Sequence, residues 1–146
     1  MRISALFASV FLVSAPALAI PVTEVSALPA ADRAQISALE QSFFDGYEKN
    51  GMLATVQREY KALGQQDLVT EELVATFRKI DTACGVLASV QRFKTENSGS
   101  RVVRDHFVIV QGSCILKWNL TYIRVGNTWG FNAFDVKTYD GNDWVF

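Results

Sequence analysis

Residues 114–125 read Cys-Ile-Leu-Lys-Trp-Asn-Leu-Thr-Tyr-Ile-Arg-Val, and their reading decides the fold. Cys114, Leu116, Trp118, Leu120 and Tyr122 fall on one parity, with Lys117, Asn119 and Thr121 on the other. Successive side chains of a strand point to opposite faces, so this strand buries one face and wets the other. Such a strand belongs to an antiparallel sheet that is covered on one side.

The neighbouring sequence supplies the rest of the sheet. Downstream, Gly126-Asn127 is a two-residue hairpin signal. Residues 128–139 form the next strand, and its apolar parity switches between Phe131 and Phe134, which predicts a bulge near Asn132. Asp140-Gly141-Asn142-Asp143 is a final turn before Trp144-Val145-Phe146. Upstream, Gln111-Gly112-Ser113 allows a tight reversal into a strand over 101–111. Asn97-Ser98-Gly99-Ser100 is a turn cluster, preceded by a more polar strand over 86–95 that suits a sheet edge.

Before residue 84 the apolar spacing is helical. Ile36, Leu39, Phe43 and Tyr47 recur at three- and four-residue steps, and Asn50-Gly51 is suited to end that helix. A shorter helix carries Leu53, Val56, Tyr60 and Leu63. A third starts at Thr70, with Glu71 and Glu72 in its first turn and Leu73, Phe77 and Ile80 as its stripe. Three helices and then a four-stranded antiparallel sheet is an α+β order, with the helices packed on the apolar face of a curved sheet.

The first nineteen residues read as an address. Arg2 is followed by a short apolar stretch, Ile3 to Val13, then by Pro16 and Ala17-Leu18-Ala19. A charged start, a short apolar core and an A-x-A site make a secretory signal peptide. The organisation is thus 1–19 signal peptide, 20–31 extended lead-in and 32–146 one domain. Cleavage after Ala19 leaves 127 residues with 13 basic and 15 acidic side chains, a charge of −2. The expected location is the bacterial periplasm or the extracellular space. In an oxidising compartment the pair Cys84 and Cys114 is expected to form a disulfide.

Composition narrows the function classes. An apolar content of 49% excludes a disordered chain, and a net charge of −1 argues against a dedicated nucleic-acid binder. Two Cys and one distant His do not make a tetrahedral metal set, so no metal or other cofactor is expected. No G-x-S-x-G elbow or Gly-rich phosphate loop occurs.

The order of elements resembles the cystatin-like α+β roll shared by nuclear-transport-factor-like and ketosteroid-isomerase-like domains. The residues that carry the resemblance are Phe43-Phe44-Asp45-Gly46-Tyr47, the Cys84-Gly85 entry to the sheet, Trp118 to Tyr122, and Trp129-Gly130-Phe131. It covers about residues 33 to 146 and looks like small secreted members of that superfamily with no assigned activity. Relatives of the roll include enzymes, binders and dimers, so a homodimer is among the expectations. In isomerase-like relatives a strand carboxylate acts as base beside a Tyr hydroxyl. The resemblance therefore offers Asp135 with Tyr47, Tyr60 or Tyr122.

His106 is the only histidine and a second candidate base, although Asp105 beside it must point to the opposite face. Trp118, Tyr122, Trp129 and Phe131 either fill the core or line a pocket for an apolar ligand. The leading expectation is an exported, non-enzymatic domain that binds a small apolar ligand or a protein partner. The alternative is a small isomerase- or dehydratase-like enzyme using His106 or Asp135 with a Tyr.

Overall fold

The structure, a computed structural model, describes residues 28–138. The signal peptide, most of the lead-in and the turn at 140–143 lie outside the described residues. Two helices precede the sheet: α1 (Ala30–Ala62) and α2 (Glu71–Cys84), joined by a short 3-10 turn at Gln66–Leu68. The strands are β1 (Leu87–Ser98), β2 (Val102–Gln111), β3 (Cys114–Val125) and β4 (Thr128–Thr138). They pair in sequence order as an antiparallel meander, so among the described residues β1 and β4 are its edges.

The expected break at Gly51 is present (φ 84°, ψ 170°): α1 is two helical stretches meeting at a kink sharp enough that Arg58 Nη2, beyond it, donates to the Ser42 carbonyl at 3.1 Å. The break survives because Asp81 on α2 accepts hydrogen bonds from the N–H groups of Met52 at 3.0 Å and Leu53 at 3.1 Å. A carboxylate on the exposed N–H groups of a helix start satisfies them and favours the positive helix end. A Cβ at position 51 would sit 3.1 Å from that carboxylate, in a backbone conformation only glycine adopts freely. Helix α1 begins at Ala30, immediately after Pro29. Helix α2 starts as expected, with Thr70 Oγ1 accepting from the Leu73 N–H at 3.2 Å.

The sheet follows the alternation in the sequence. Leu116, Trp118, Leu120 and Tyr122 are all 0% exposed on the face that meets the helices. Thr121 pairs with Ala133 and Tyr122 with Phe131, which leaves Asn132 as the extra residue of the expected bulge. Two further irregularities interrupt β1, between Leu87 and Ser89 and between Arg92 and Lys94. Bulges bend a strand and increase its twist, and the sheet curves around α1 without closing. Trp118 is the hub of the core. Its ring lies 5.4 Å from Phe43, 5.8 Å from Tyr47, 5.5 Å from Phe134 and 6.4 Å from Phe77.

Cys84, the last residue of α2, is disulfide-bonded to Cys114, the first residue of β3. The bridge closes a loop that contains β1 and β2. Beside it Gly112 has φ 50°, and a Cβ there would overlap the Cys84 carbonyl oxygen at 1.7 Å. This is a backbone crossing that only glycine permits. No helix among the described residues is long and apolar enough to cross a membrane.

Candidate functional site

Val103, Asp105, Phe107 and Ile109 share one parity on β2, and that face packs against α1. Asp105 is carried into the interior with its apolar neighbours and is fully buried. A buried carboxylate must be paired and hydrogen-bonded. Arg33 Nη1 donates to Asp105 Oδ2 at 2.8 Å, and the Thr95 hydroxyl donates to Oδ1. The same guanidinium donates through Nη2 to Glu40 Oε1 at 2.5 Å, while Arg92 Nη1 donates to Glu40 Oε2 at 2.9 Å. One polar chain, Arg92–Glu40–Arg33–Asp105–Thr95, therefore ties β1 to α1 and α1 to β2.

The two carboxyl groups are driven apart in acidity. Burial raises the Glu40 carboxyl, and the neighbouring Asp105 adds to this against the pull of Arg33, so it is pushed up to about 7. Burial also acts to raise Asp105, but hydrogen bonds from Glu40, Thr95 and Arg33 outweigh it and hold that group below the usual carboxylate range. Two adjacent carboxyl groups sharing a proton is the expected result, since both cannot ionise cheaply at close range. The Tyr122 hydroxyl belongs to the same neighbourhood. Burial and the negative Glu40 and Asp105 push its pKa up, and it meets no hydrogen-bond partner among the described residues.

Glu40 and Arg92 are the members of this chain that reach open space. They form part of the wall of a groove of about 480 Å³ between α1 and β1. Ser37, Phe44, Asp45 and Glu48 line the helix side, and Leu87 to Val90 with Arg92 line the strand side. A second groove of about 270 Å³ shares Glu48 and Leu87 and continues to Gly51, Asp81 and Val86. Together they make one furrow along the free edge of β1. Chemically the furrow offers the Glu40 carboxyl with Arg92 on it, the Asp45 and Glu48 carboxylates, and an aromatic wall.

The residues singled out from sequence are distributed differently. His106 lies on the outer face of the sheet, as its parity against Asp105 requires. Its Nδ1 faces Asn119 Oδ1 at 2.6 Å and its Nε2 faces Glu96 Oε2 at 2.9 Å. Asn119 Nδ2 donates to Asp135 Oδ2 at 3.1 Å, so Asn119 joins the two expected bases into one outer-face network. Hydrogen bonds from Lys94 and His106 hold the Glu96 carboxyl down at about 2.

The Asp135–Tyr pairing is not made. Asp135 is exposed on the outer face, whereas Tyr47 lies on the inner side and donates to Gln111 Oε1 at 2.5 Å. Burial, with Asp81 nearby, raises the Tyr47 hydroxyl. The parity switch at Asn132 is the reason, because it turns Asp135 outward and Phe134 inward. Tyr122 is inward as well, so the thickness of the sheet separates it from Asp135. Tyr60 packs edge-on against Phe134, 5.5 Å between ring centres, on that same inner side. Trp118, Tyr122, Trp129 and Phe131 are buried in the core, and none of them lines the furrow.

Sequence reasoning missed Arg33, Glu40, Arg92 and the inward role of Asp105. A signal existed for two of them. Glu40 stands four residues after Ile36 and three before Phe43, on the apolar stripe of α1, and Asp105 shares the parity of Val103 and Phe107. Among the described residues no group of three or more His, Cys, Asp or Glu side chains is placed to hold a metal ion. The chain matches no protein-family model, no curated protein and no solved structure.

Proposed function

We propose that the protein is an exported, non-enzymatic binding domain of the cystatin-like, nuclear-transport-factor-like roll superfamily. In this reading residues 1–19 direct it to the periplasm or beyond, and the furrow between α1 and β1 receives a protein partner. One observation carries the reading: the aromatic side chains that could have lined an internal ligand pocket pack on one another instead, while the accessible space lies along a strand edge. A small apolar ligand would need the reverse arrangement. The Cys84–Cys114 bridge supports export, since structural disulfides persist in oxidising compartments.

Photo-crosslinking in cells tests this reading. A photoreactive residue at Ser89, on the furrow, is expected to yield a discrete protein adduct, and one at Lys137, exposed on β4, is not. Adducts of equal yield from both positions would place the contact elsewhere.

A second reading rests on Glu40. A carboxyl that holds its proton to about pH 7 beside two arginines is suited to general acid–base work, as an isomerase or dehydratase would need. It differs from the sequence expectation in using Glu40 and Asp105 rather than His106 or Asp135. Turnover of a hydroxy- or keto-substrate that is lost in Glu40→Gln while folding is kept would favour it over the binding reading.

A further inference from the structure

We propose that the furrow takes an extended, lysine- or arginine-bearing segment of the partner protein, laid alongside β1 as a fifth strand. The proposal rests on the binding reading above and names the chemistry of its partner. Three features of the fold carry it.

The first is the edge itself. Among the described residues β1 pairs with β2 alone, so its other row of backbone groups is open to a further strand. Along β1 the furrow follows this row from Leu87 to Arg92, past the irregularity between Leu87 and Ser89. At about 3.3 Å per residue that run is roughly 20 Å long, the length of a six-residue extended segment. Strand addition to an exposed edge draws affinity from main-chain hydrogen bonds and specificity from alternate side-chain pockets.

The second is apolar surface in the right place. Val86, just before β1, is 74% exposed and Val90, on β1, is 36% exposed, with Phe107 of β2 beside them and Phe44 of α1 on the wall opposite. Apolar side chains of an added strand would cover them.

The third is charge. Asp45 accepts only from Gln41, and neither Asp45 nor Glu48 pairs with a cation among the described residues. Both stand in the last two turns of α1 before the break at Gly51, where free carbonyl groups add negative potential. The basic residues of β1 do not cancel this field. Arg92 is held by Glu40, and Lys94 by Glu96 at 2.5 Å. An added strand that places Lys or Arg opposite Asp45 and Glu48 meets complementary charge, and an acidic one meets repulsion.

The experiment uses three blocked, fluorescein-labelled heptapeptides and the purified protein. One alternates lysine with valine, one alternates glutamate with valine, and one keeps the lysines but has proline in place of valine. Binding is read by fluorescence anisotropy and mapped by amide chemical shifts. The lysine–valine peptide is expected to bind and to shift residues 86–92. Its affinity should fall at least fivefold in Asp45→Asn/Glu48→Gln, and at least tenfold between 50 and 500 mM salt. The proline peptide, which cannot donate to a ladder, should bind at least tenfold more weakly.

Equal binding of the proline peptide would overturn strand addition, and equal binding of the glutamate peptide would overturn the charge assignment. Either result, with shifts still at 86–92, leaves the furrow as a binding site and removes only this proposal. Shifts confined to the outer face, or no binding by any peptide together with no adduct from Ser89, would remove both.

Discussion

Arg33→Met is the most informative single change in this molecule. It keeps the aliphatic stem, so packing against the sheet is largely retained. It removes one guanidinium that donates to two buried carboxylates, Glu40 at 2.5 Å and Asp105 at 2.8 Å. A hydrogen bond to a charged group contributes about 1.5 to 3 kcal/mol, so the two together set a ceiling of about 3 to 6 kcal/mol. Two facts lower it: the Arg33 side chain is 23% exposed, and Glu40 keeps Arg92. The expected loss is therefore about 2 to 4 kcal/mol at pH 7.5.

The loss should depend on pH in a definite direction. The Glu40 carboxyl is raised in the folded state, so its contribution to stability is full below its unfolded value of about 4.5 and declines as pH rises through about 7. Asp105 is depressed, so its contribution is present above an unfolded value near 3.8 and is lost in acid. At pH 5 Glu40 carries a proton and needs Arg33 less, while Asp105 still needs it. Arg33→Met should then cost about 1 to 2 kcal/mol less at pH 5 than at pH 7.5, the difference between a charged hydrogen bond and a neutral one. Urea unfolding followed by the fluorescence of the buried Trp118 and Trp129 measures both values. A loss below about 1 kcal/mol, or the same loss at both pH values, would refute the polar chain described here.

Three further outcomes are expected. Trp118→Ala should destabilise by about 3 to 5 kcal/mol, because Trp118 is 0% exposed at the centre of the aromatic core, and a urea midpoint shift worth under 1 kcal/mol would displace it from that role. Reducing the Cys84–Cys114 bridge, which closes a separation of 30 residues, should lower stability by about 3 to 4 kcal/mol, and thiol labelling of the unreduced, denatured protein should find no free cysteine. The intact mass of protein recovered from outside the cytoplasm should correspond to a chain starting at Ile20, and an uncleaved mass there would remove the signal peptide from the account.

The sheet was legible because alternation is a local signal. Parity over Cys114 to Tyr122 and its switch near Asn132 are visible within a dozen residues, and both the buried face and the bulge appear where they point. The helices were legible in type and in the place of their break. Gly51 reads locally as an end, and Asp81, about thirty residues away in sequence, caps the stretch that starts beyond it. The candidate site was the least legible part. Arg33, Glu40, Arg92 and Asp105 come from three elements; Arg33 and Arg92 read alone as solvated charges, and the apolar positions of Glu40 and Asp105 do not say what they meet. Their meeting follows from the pairing of β1 with β2 and the lie of α1 across both. His106 drew attention because it is unique, yet strand parity already sends it to the face opposite Asp105.

The buried chain also poses a question of purpose that can be settled by removing all of it. Taking one partner from a buried ion pair leaves an uncompensated charge, whereas replacing the whole set by apolar groups of similar size is often neutral or stabilising by about 1 to 4 kcal/mol. Arg33→Met/Glu40→Leu/Asp105→Leu should therefore be more stable than Arg33→Met alone and lie within about 2 kcal/mol of the wild type, with Arg92 returning to solvent, where its side chain is already 37% exposed. If that recovery occurs, the polar chain is not needed to hold α1 on the sheet. The presence of Glu40 on the furrow wall must then be explained by what the furrow does. A triple variant less stable than Arg33→Met would instead make the chain a structural tie between α1, β1 and β2, and would withdraw Glu40 from any functional account.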